Sequence, residues 1–120
     1  MKIPFKKTFK YSAEELIRKC GYGKIFDRYA NKVSYVKRLG QGHYPRFHLY
    51  VNSQEPLILN LHLDQKKASY QGQKAHSGDY DSDLVRQEAL RIYNQIMDLA
   101  NEQTGEEEPK GFFYRIFGKK

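Results

Sequence analysis

Residues 46–64 read RFHLYVNSQEPLILNLHLD, and this stretch decides the predicted fold. Apolar residues occupy every second position on both sides of segment 52–56, which ends in a proline. Such alternation is typical of strands with one buried face, and a short turn-rich break between two strands predicts a hairpin. We therefore expect the leucines of 57–64 to face the core, with His62 and Asp64 on the opposite face.

The chain before this hairpin predicts one more strand and a helix. In VSYVKR, residues 33–38, the same alternation predicts a strand, and Gly40 to Gly42 form a turn that joins it to the hairpin. Three sequential strands with short connections predict an antiparallel meander. Further upstream, Ser12 and Glu15 have the spacing of a capping box, which predicts a helix over 12–20.

A second helix is predicted in DSDLVRQEALRIYNQIMDLAN, residues 81–101, where Asp81, Ser82 or Asp83 can cap the first turn. Its apolar residues share one face. The predicted fold class is therefore α+β: a single domain of order α-β-β-β-α, with a three-stranded antiparallel meander packed by helices. We expect residues 1–102 to form this domain and 103–120 to form an acidic linker and a flexible C-terminal tail. The apolar helix positions are Val85, Ala89, Ile92, Ile96 and Leu99.

Composition limits the classes of function. The net charge is +7, and residues 1–46 hold twelve Lys or Arg against three Asp or Glu. Cys20 is the only cysteine, so no internal disulfide and no cysteine-based zinc site is expected. No apolar stretch approaches the roughly 20 residues of a membrane span, and the N-terminus lacks a signal-peptide pattern. We expect a cytoplasmic, monomeric or weakly associating protein.

The candidate polar site lies on the polar sheet face and in the loop that follows. The predicted register places His48 opposite Asn60 and diagonal to His62. Three imidazoles and a carboxylate that converge would suit a divalent metal or acid-base catalysis, with His48, His62, Asp64 and His76 as the group. Polar contacts that hold the long loop are the alternative interpretation, and no resident cofactor is then expected. The site residues are His48, Asn60, His62, Asp64, His76 and Asp79.

A binding or regulatory module is the main functional expectation, and a non-enzymatic role is favoured over a catalytic one. Loop 65–80 is longer than most connections in compact domains, and such loops often carry function. The basic N-terminal half indicates RNA or another anionic partner. Leu84 and Leu90 stand where a calcium-binding EF-hand needs glycine and glutamate, which excludes that motif. The candidate anion-binding residues are Lys32, Lys37, Arg38, Arg46, Lys66 and Lys67.

The C-terminal sequence GFFYRIFGKK, residues 111–120, is aromatic and basic. A short amphipathic segment of this kind can bind weakly to a membrane surface or to a groove in a partner protein. A tail that makes no contact is the alternative. The candidate tail residues are Phe112, Phe113, Arg115, Ile116 and Phe117.

Four motifs, VSYVKRLG, YPRFHLYV, LNLHLDQKKASYQG and AHSGDYD, together resemble a family of small uncharacterised bacterial proteins. The resemblance covers residues 12–95, and its most distinctive part is the LHLDQK…AHSG pattern. It implies a shared fold and carries no activity, cofactor or partner. Ser82 stands where the family has glycine, so the start of the second helix is expected to differ.

The predicted order and the segment GQGHYPRFHLYV, residues 40–51, also resemble a double-stranded RNA-binding domain. That module binds A-form RNA through its first helix, this loop and lysines at the start of its second helix. Here the second helix opens near Asp79, Asp81 and Asp83, and carboxylates at that position would repel phosphate. An ordinary member of that family is therefore not expected.

Overall fold

A computed structural model describes residues 1–65, 78–79 and 82–104, and it confirms the α+β class. Two helices and an antiparallel sheet form the fold, but the predicted order α-β-β-β-α is wrong because strands were missed at both ends of the sheet. The elements are β1 (Lys2–Pro4), α1 (Ala13–Lys19), β2 (Gly23–Asp27), β3 (Lys32–Arg38), β4 (Arg46–Gln54), β5 (Leu57–Asp64), β6 (Gly78–Asp79) and α2 (Asp83–Thr104).

The sheet has the strand order β1-β5-β4-β3-β2, and each described strand is antiparallel to its neighbours. The predicted meander is its centre, β3-β4-β5. Strand β1 pairs with one end of β5, and the two-residue β6 pairs with the other end of the same edge. Sequence patterns missed β1 because three residues are too short to show a period, and missed β2 because GKIFD has no alternation of apolar and polar residues.

The register of the central hairpin differs from the predicted one by two residues. Strand β4 continues to Gln54, so the chain reverses over Glu55 and Pro56 alone, and a bulge lies between Val51 and Ser53. The five-residue turn predicted over 52–56 is therefore wrong. As a result His48 lies directly opposite His62, and Asn60 lies opposite Tyr50.

The predicted leucine face is confirmed. Leu59 and Leu61 are completely buried, and the apolar faces of both helices join them in one core. Burying a leucine or isoleucine side chain contributes about 1.5–3 kcal/mol, so this face supplies much of the fold's stability. The central members of the core are Ile3, Phe5, Leu16, Ile17, Leu49, Leu59, Leu61, Val85, Ala89, Ile92 and Ile96.

Both helix starts are capped as their sequences predict. The Ser12 hydroxyl accepts a hydrogen bond from the Glu15 amide at 3.2 Å, and the Glu15 carboxylate accepts one from the Ser12 amide at 2.8 Å. At α2, the Ser82 hydroxyl accepts a hydrogen bond from the Val85 amide at 3.2 Å, so Ser82 is the cap and Asp83 begins the helix. Asp81 lies outside the described residues.

A polar clamp joins the two helices. Arg91 donates a hydrogen bond from Nη2 to the Cys20 carbonyl at 2.9 Å and another to Glu88 at 2.8 Å, while Tyr22 donates to Glu88 at 2.6 Å. Burial raises the pKa of Glu88, but these hydrogen bonds outweigh that effect and leave its pKa below the ordinary value. Burial raises the pKa of the Cys20 thiol to about 11, which fits an inert core residue.

No helix in the described ranges is both long enough and apolar enough to span a bilayer. Residues 105–120, which contain all of the candidate tail residues, lie outside the described residues. The boundary between the domain and the tail, placed between residues 102 and 103, stays a prediction. Helix α2 itself runs to Thr104.

Candidate metal centre

The polar face of the sheet carries a cluster that β4 and β5 build together. His48 and His62 are cross-strand partners, and Asp64 follows His62 on the same face because strand side chains alternate with period two. Both imidazoles are buried, His48 at 7% and His62 at 8% exposure. The cluster is therefore on the face that the leucine alternation predicts, but it is more enclosed than an open recognition surface.

The carboxylate of Asp64 lies between the two imidazoles. Oδ2 is 2.8 Å from His48 Nδ1, and Oδ1 is 2.9 Å from His62 Nε2. The Nε group of Arg46 donates a third, longer hydrogen bond to Oδ2 at 3.2 Å. Burial raises the pKa of Asp64, but the hydrogen bonds from the histidines outweigh it and hold the pKa far below the ordinary value. Asp64 is therefore a carboxylate at neutral pH.

Ser34 contacts the remaining nitrogen of His48. Its Oγ lies 2.8 Å from His48 Nε2, and the side chain is buried at 1% exposure. The sequence does not indicate Ser34 as a site residue, because a serine in an alternating strand gives no signal of a specific partner. The observed pairing of β3 with β4 supplies that signal.

A hydroxyl, an imidazole and a carboxylate in series also occur in serine hydrolases, where the hydroxyl is the nucleophile. The series here runs from Ser34 through His48 to Asp64. With 1% exposure, the Ser34 hydroxyl is out of reach of a substrate in this conformation. A serine can accept or donate a hydrogen bond, so Ser34 can fix the ring of His48 in either tautomer.

Tyr50 packs against both imidazoles. Its ring stacks on His48 with centroids 4.5 Å apart and on His62 at 5.4 Å, and the two imidazole centroids are 5.1 Å apart. These contacts and the hydrogen bonds hold the rings in fixed orientations, as a preorganised ligand site requires.

The structure brings together three of the predicted polar-site residues: His48, His62 and Asp64. Asn60 has a different contact, because its Oδ1 accepts a hydrogen bond from the amino group of Met1 at 3.2 Å. His76 and the side chain of Asp79 lie outside the described residues.

The predicted anion-binding residues that the structure describes do not form one patch. Arg38 and Arg46 are cross-strand partners at one end of the sheet, whereas Lys32 lies at the other end of β3, beside the β2–β3 turn. Lys37 is on the helix-covered face, opposite Phe47. Lys66 and Lys67 lie outside the described residues.

The donor atoms of His48, His62 and Asp64 lie within 4.8 Å of one another. Around a tetrahedral zinc ion, ligand atoms are about 3.4 Å apart, given bond lengths near 2.0–2.2 Å. The two nitrogen–oxygen distances of 2.8 and 2.9 Å would have to widen by about half an ångström to admit an ion. Two imidazoles and one carboxylate are a ligand set for zinc and for non-haem iron.

Comparisons of the chain with protein-family models, with curated proteins and with solved structures found no match. Both family resemblances therefore stay predictions. Among the described residues, one strand precedes α1 and five lie between the two helices, which also departs from the α-β-β-β-α order of a double-stranded RNA-binding domain.

Proposed function

We propose that this protein binds a divalent transition-metal ion on its polar sheet face, with His48, His62 and Asp64 as the protein ligands. The observation that carries the proposal is the convergence of their three donor atoms within 4.8 Å. Two hydrogen-bonded strands supply these atoms, so the site is part of the sheet itself.

The second ring nitrogen of His48 has the partner that metal binding would require. Binding through Nδ1 requires the proton on Nε2, and a protonated Nε2 needs an acceptor. The Ser34 Oγ is at hydrogen-bond distance from that nitrogen. Metal-bound histidines commonly donate their second N–H to such a partner, which fixes the ring and raises its basicity.

The neighbouring charge limits the affinity. The guanidinium of Arg46 contacts Oδ2 of Asp64, so it orients the carboxylate and also repels a cation. We expect the site to select zinc or another metal that prefers nitrogen ligands, because magnesium and calcium favour all-oxygen sites. Three protein ligands would leave a coordination position for water or for a donor atom of a substrate or partner.

This proposal makes the binding-module and metal-enzyme interpretations compatible. The polar face remains the recognition surface, and the bound ion becomes its central element. His76 stays the predicted fourth ligand, and His76→Ala tests it separately.

Calorimetric titration of metal-free protein, prepared without a polyhistidine tag, tests the proposal. We expect one Zn²⁺ per chain for the wild type and no saturable binding of Mg²⁺. Asp64→Asn keeps the size and one acceptor oxygen but removes the negative charge, and it should weaken Zn²⁺ binding at least 10-fold. His62→Gln should do the same.

His43→Gln is the matched control, because His43 is exposed and lies outside the cluster. It should bind Zn²⁺ as the wild type does. The proposal fails if the wild type binds no Zn²⁺, or if His43→Gln loses binding while Asp64→Asn and His62→Gln retain it.

A further inference from the structure

A second surface of the molecule combines exposed aromatic rings with positive charge. It is the hairpin of β2 and β3, residues 23–38, at the edge of the sheet remote from β1. Phe26 is 57% exposed and Tyr29 is fully exposed. Among the described residues, few other large apolar side chains are exposed to solvent.

Strand pairing places Phe26, and hydrogen bonds of the turn place the backbone of Tyr29. Phe26 lies opposite Val33 across the two strands, and Val33 is 38% exposed, so the pair forms a small apolar surface. Tyr29 lies in the turn. The Asp27 carboxylate accepts hydrogen bonds from the amides of Tyr29 and Ala30 at 3.0 and 3.2 Å.

The left-handed backbone of Asn31, with φ 55°, completes the turn. Asparagine tolerates this conformation better than most residues. The turn is thus built by local interactions, and it holds Tyr29 away from the core.

The charge of the hairpin is strongly positive. Residues 23–38 contain five Lys or Arg and a single acidic residue, Asp27. Lys24 forms an ion pair with Glu14 at 3.1 Å. Arg28 and Lys32 flank the exposed turn and form no ion pair within the described part of the chain. Their charges are available to an anionic partner.

We propose that the β2–β3 hairpin binds single-stranded nucleic acid, with Phe26 and Tyr29 stacking on bases and Arg28 and Lys32 contacting phosphates. Exposed rings beside unpaired cations are the combination that sequence-tolerant single-strand binding uses. A second copy of the chain is disfavoured as the occupant, because two such positive hairpins would repel each other. Double-stranded RNA offers no exposed base faces to the rings.

This inference does not depend on the metal site, since it involves none of the ligands. The probe is a fluorescently labelled oligouridine of about twelve nucleotides, measured by anisotropy at about 50 mM salt and again at higher salt. Tyr29→Ala and Phe26→Ala should each weaken binding about 5- to 150-fold, the range for loss of one stacked base. Arg28→Gln with Lys32→Gln should flatten the salt dependence by about 1.4 log units per log unit, because each lost phosphate contact removes about 0.7.

Two controls distinguish binding at this hairpin from nonspecific electrostatic attraction and from nonspecific apolar contact. Lys6→Gln with Lys10→Gln removes the same charge from exposed positions outside the hairpin, and Leu84→Ala removes an exposed apolar side chain from α2. Both should bind nearly as the wild type does. The proposal is overturned if the wild type does not bind, if Tyr29→Ala binds unchanged, if Lys6→Gln with Lys10→Gln weakens binding as much as the hairpin charge variant, or if polyglutamate binds as tightly as the oligouridine.

Discussion

His48 connects three strands through its two ring nitrogens and the groups beside them. Ser34 on β3 contacts one nitrogen, and Asp64 on β5 contacts the other. A buried imidazole with both nitrogens at hydrogen-bond distance from partners is held in one orientation. Metal binding through Nδ1 needs the proton of His48 on Nε2, and the Ser34 hydroxyl is the acceptor that this tautomer requires.

Ser34→Ala tests whether the Ser34 hydroxyl has this role. Without the hydroxyl, a metal-bound His48 has no acceptor for its Nε2 proton, so Zn²⁺ affinity should fall about 10- to 100-fold. Calorimetric titration measures the change. Ser53→Ala, which removes a hydroxyl bonded to the Pro56 carbonyl in the hairpin turn, serves as control and should leave the affinity unchanged.

A purely structural role for Ser34 predicts something else. Ser34→Ala would then lower the free energy of unfolding of the metal-free protein by about 1–3 kcal/mol and leave Zn²⁺ affinity intact. Equal affinities for the wild type and Ser34→Ala would contradict the positioning role.

The elements depend on a partly buried polar clamp as well as on apolar packing. Side chains of α2 bind carbonyls at the C-terminal end of α1: Arg91 contacts that of the cap residue Cys20, and Gln95 contacts that of Lys19, each at 2.9 Å. Glu88 lies between Arg91 and Tyr22. The clamp fixes the angle at which α1 meets α2.

Glu88 makes this clamp pH-dependent. Its folded-state pKa is lowered, so its carboxylate stabilises the fold above the unfolded-state value near 4.5, and this contribution is lost as pH falls through the folded-state pKa. Glu88→Gln should therefore cost about 1–3 kcal/mol at pH 7 and progressively less in acid. Urea unfolding at pH 7 and at about pH 3 measures the difference.

If the wild type and Glu88→Gln differ by the same free energy at both pH values, the charge of Glu88 does not hold the clamp. Glu55→Gln is a suitable control for the general effect of acid, because Glu55 is exposed and lies in the turn between β4 and β5.

The alternation in 57–64 predicted which residues face the core, and the capping box predicted where α1 begins. The exact register was not predictable, because a bulge after Val51 and a two-residue turn shift the pairing without changing the alternation. That shift places His48 directly beside His62. The sequence therefore indicated that His48, His62 and Asp64 could converge on the polar face. The contact of Ser34 with His48 became evident only from the pairing of β3 with β4.

The described part of the chain has one apolar layer, which lies between the helices and the sheet. Leu61 lies in it with no exposed surface. Leu61→Ala should lower the free energy of unfolding by about 2–5 kcal/mol, through lost transfer free energy and a residual cavity. Leu84→Ala, on the exposed side of α2, should change it by less than about 0.5 kcal/mol. Similar effects in both variants would contradict this placement of the core, and denaturant unfolding distinguishes the two results.

Metal binding should also stabilise the whole fold, because its ligands join two central strands. Zn²⁺ at about 100 times its dissociation constant should add about 2.7 kcal/mol to the free energy of unfolding. Thermal unfolding of the wild type should shift upward with Zn²⁺, and that of Asp64→Asn should not. An equal shift in both proteins would place the ion elsewhere.

X-ray diffraction from Zn²⁺-soaked crystals, with data collected at the zinc absorption edge, locates the bound ion. We expect an anomalous peak about 2.0–2.2 Å from His48 Nδ1, from His62 Nε2 and from a carboxylate oxygen of Asp64. A zinc peak elsewhere, or none, with Asp64 still hydrogen-bonded between the two imidazoles, would contradict the proposed site.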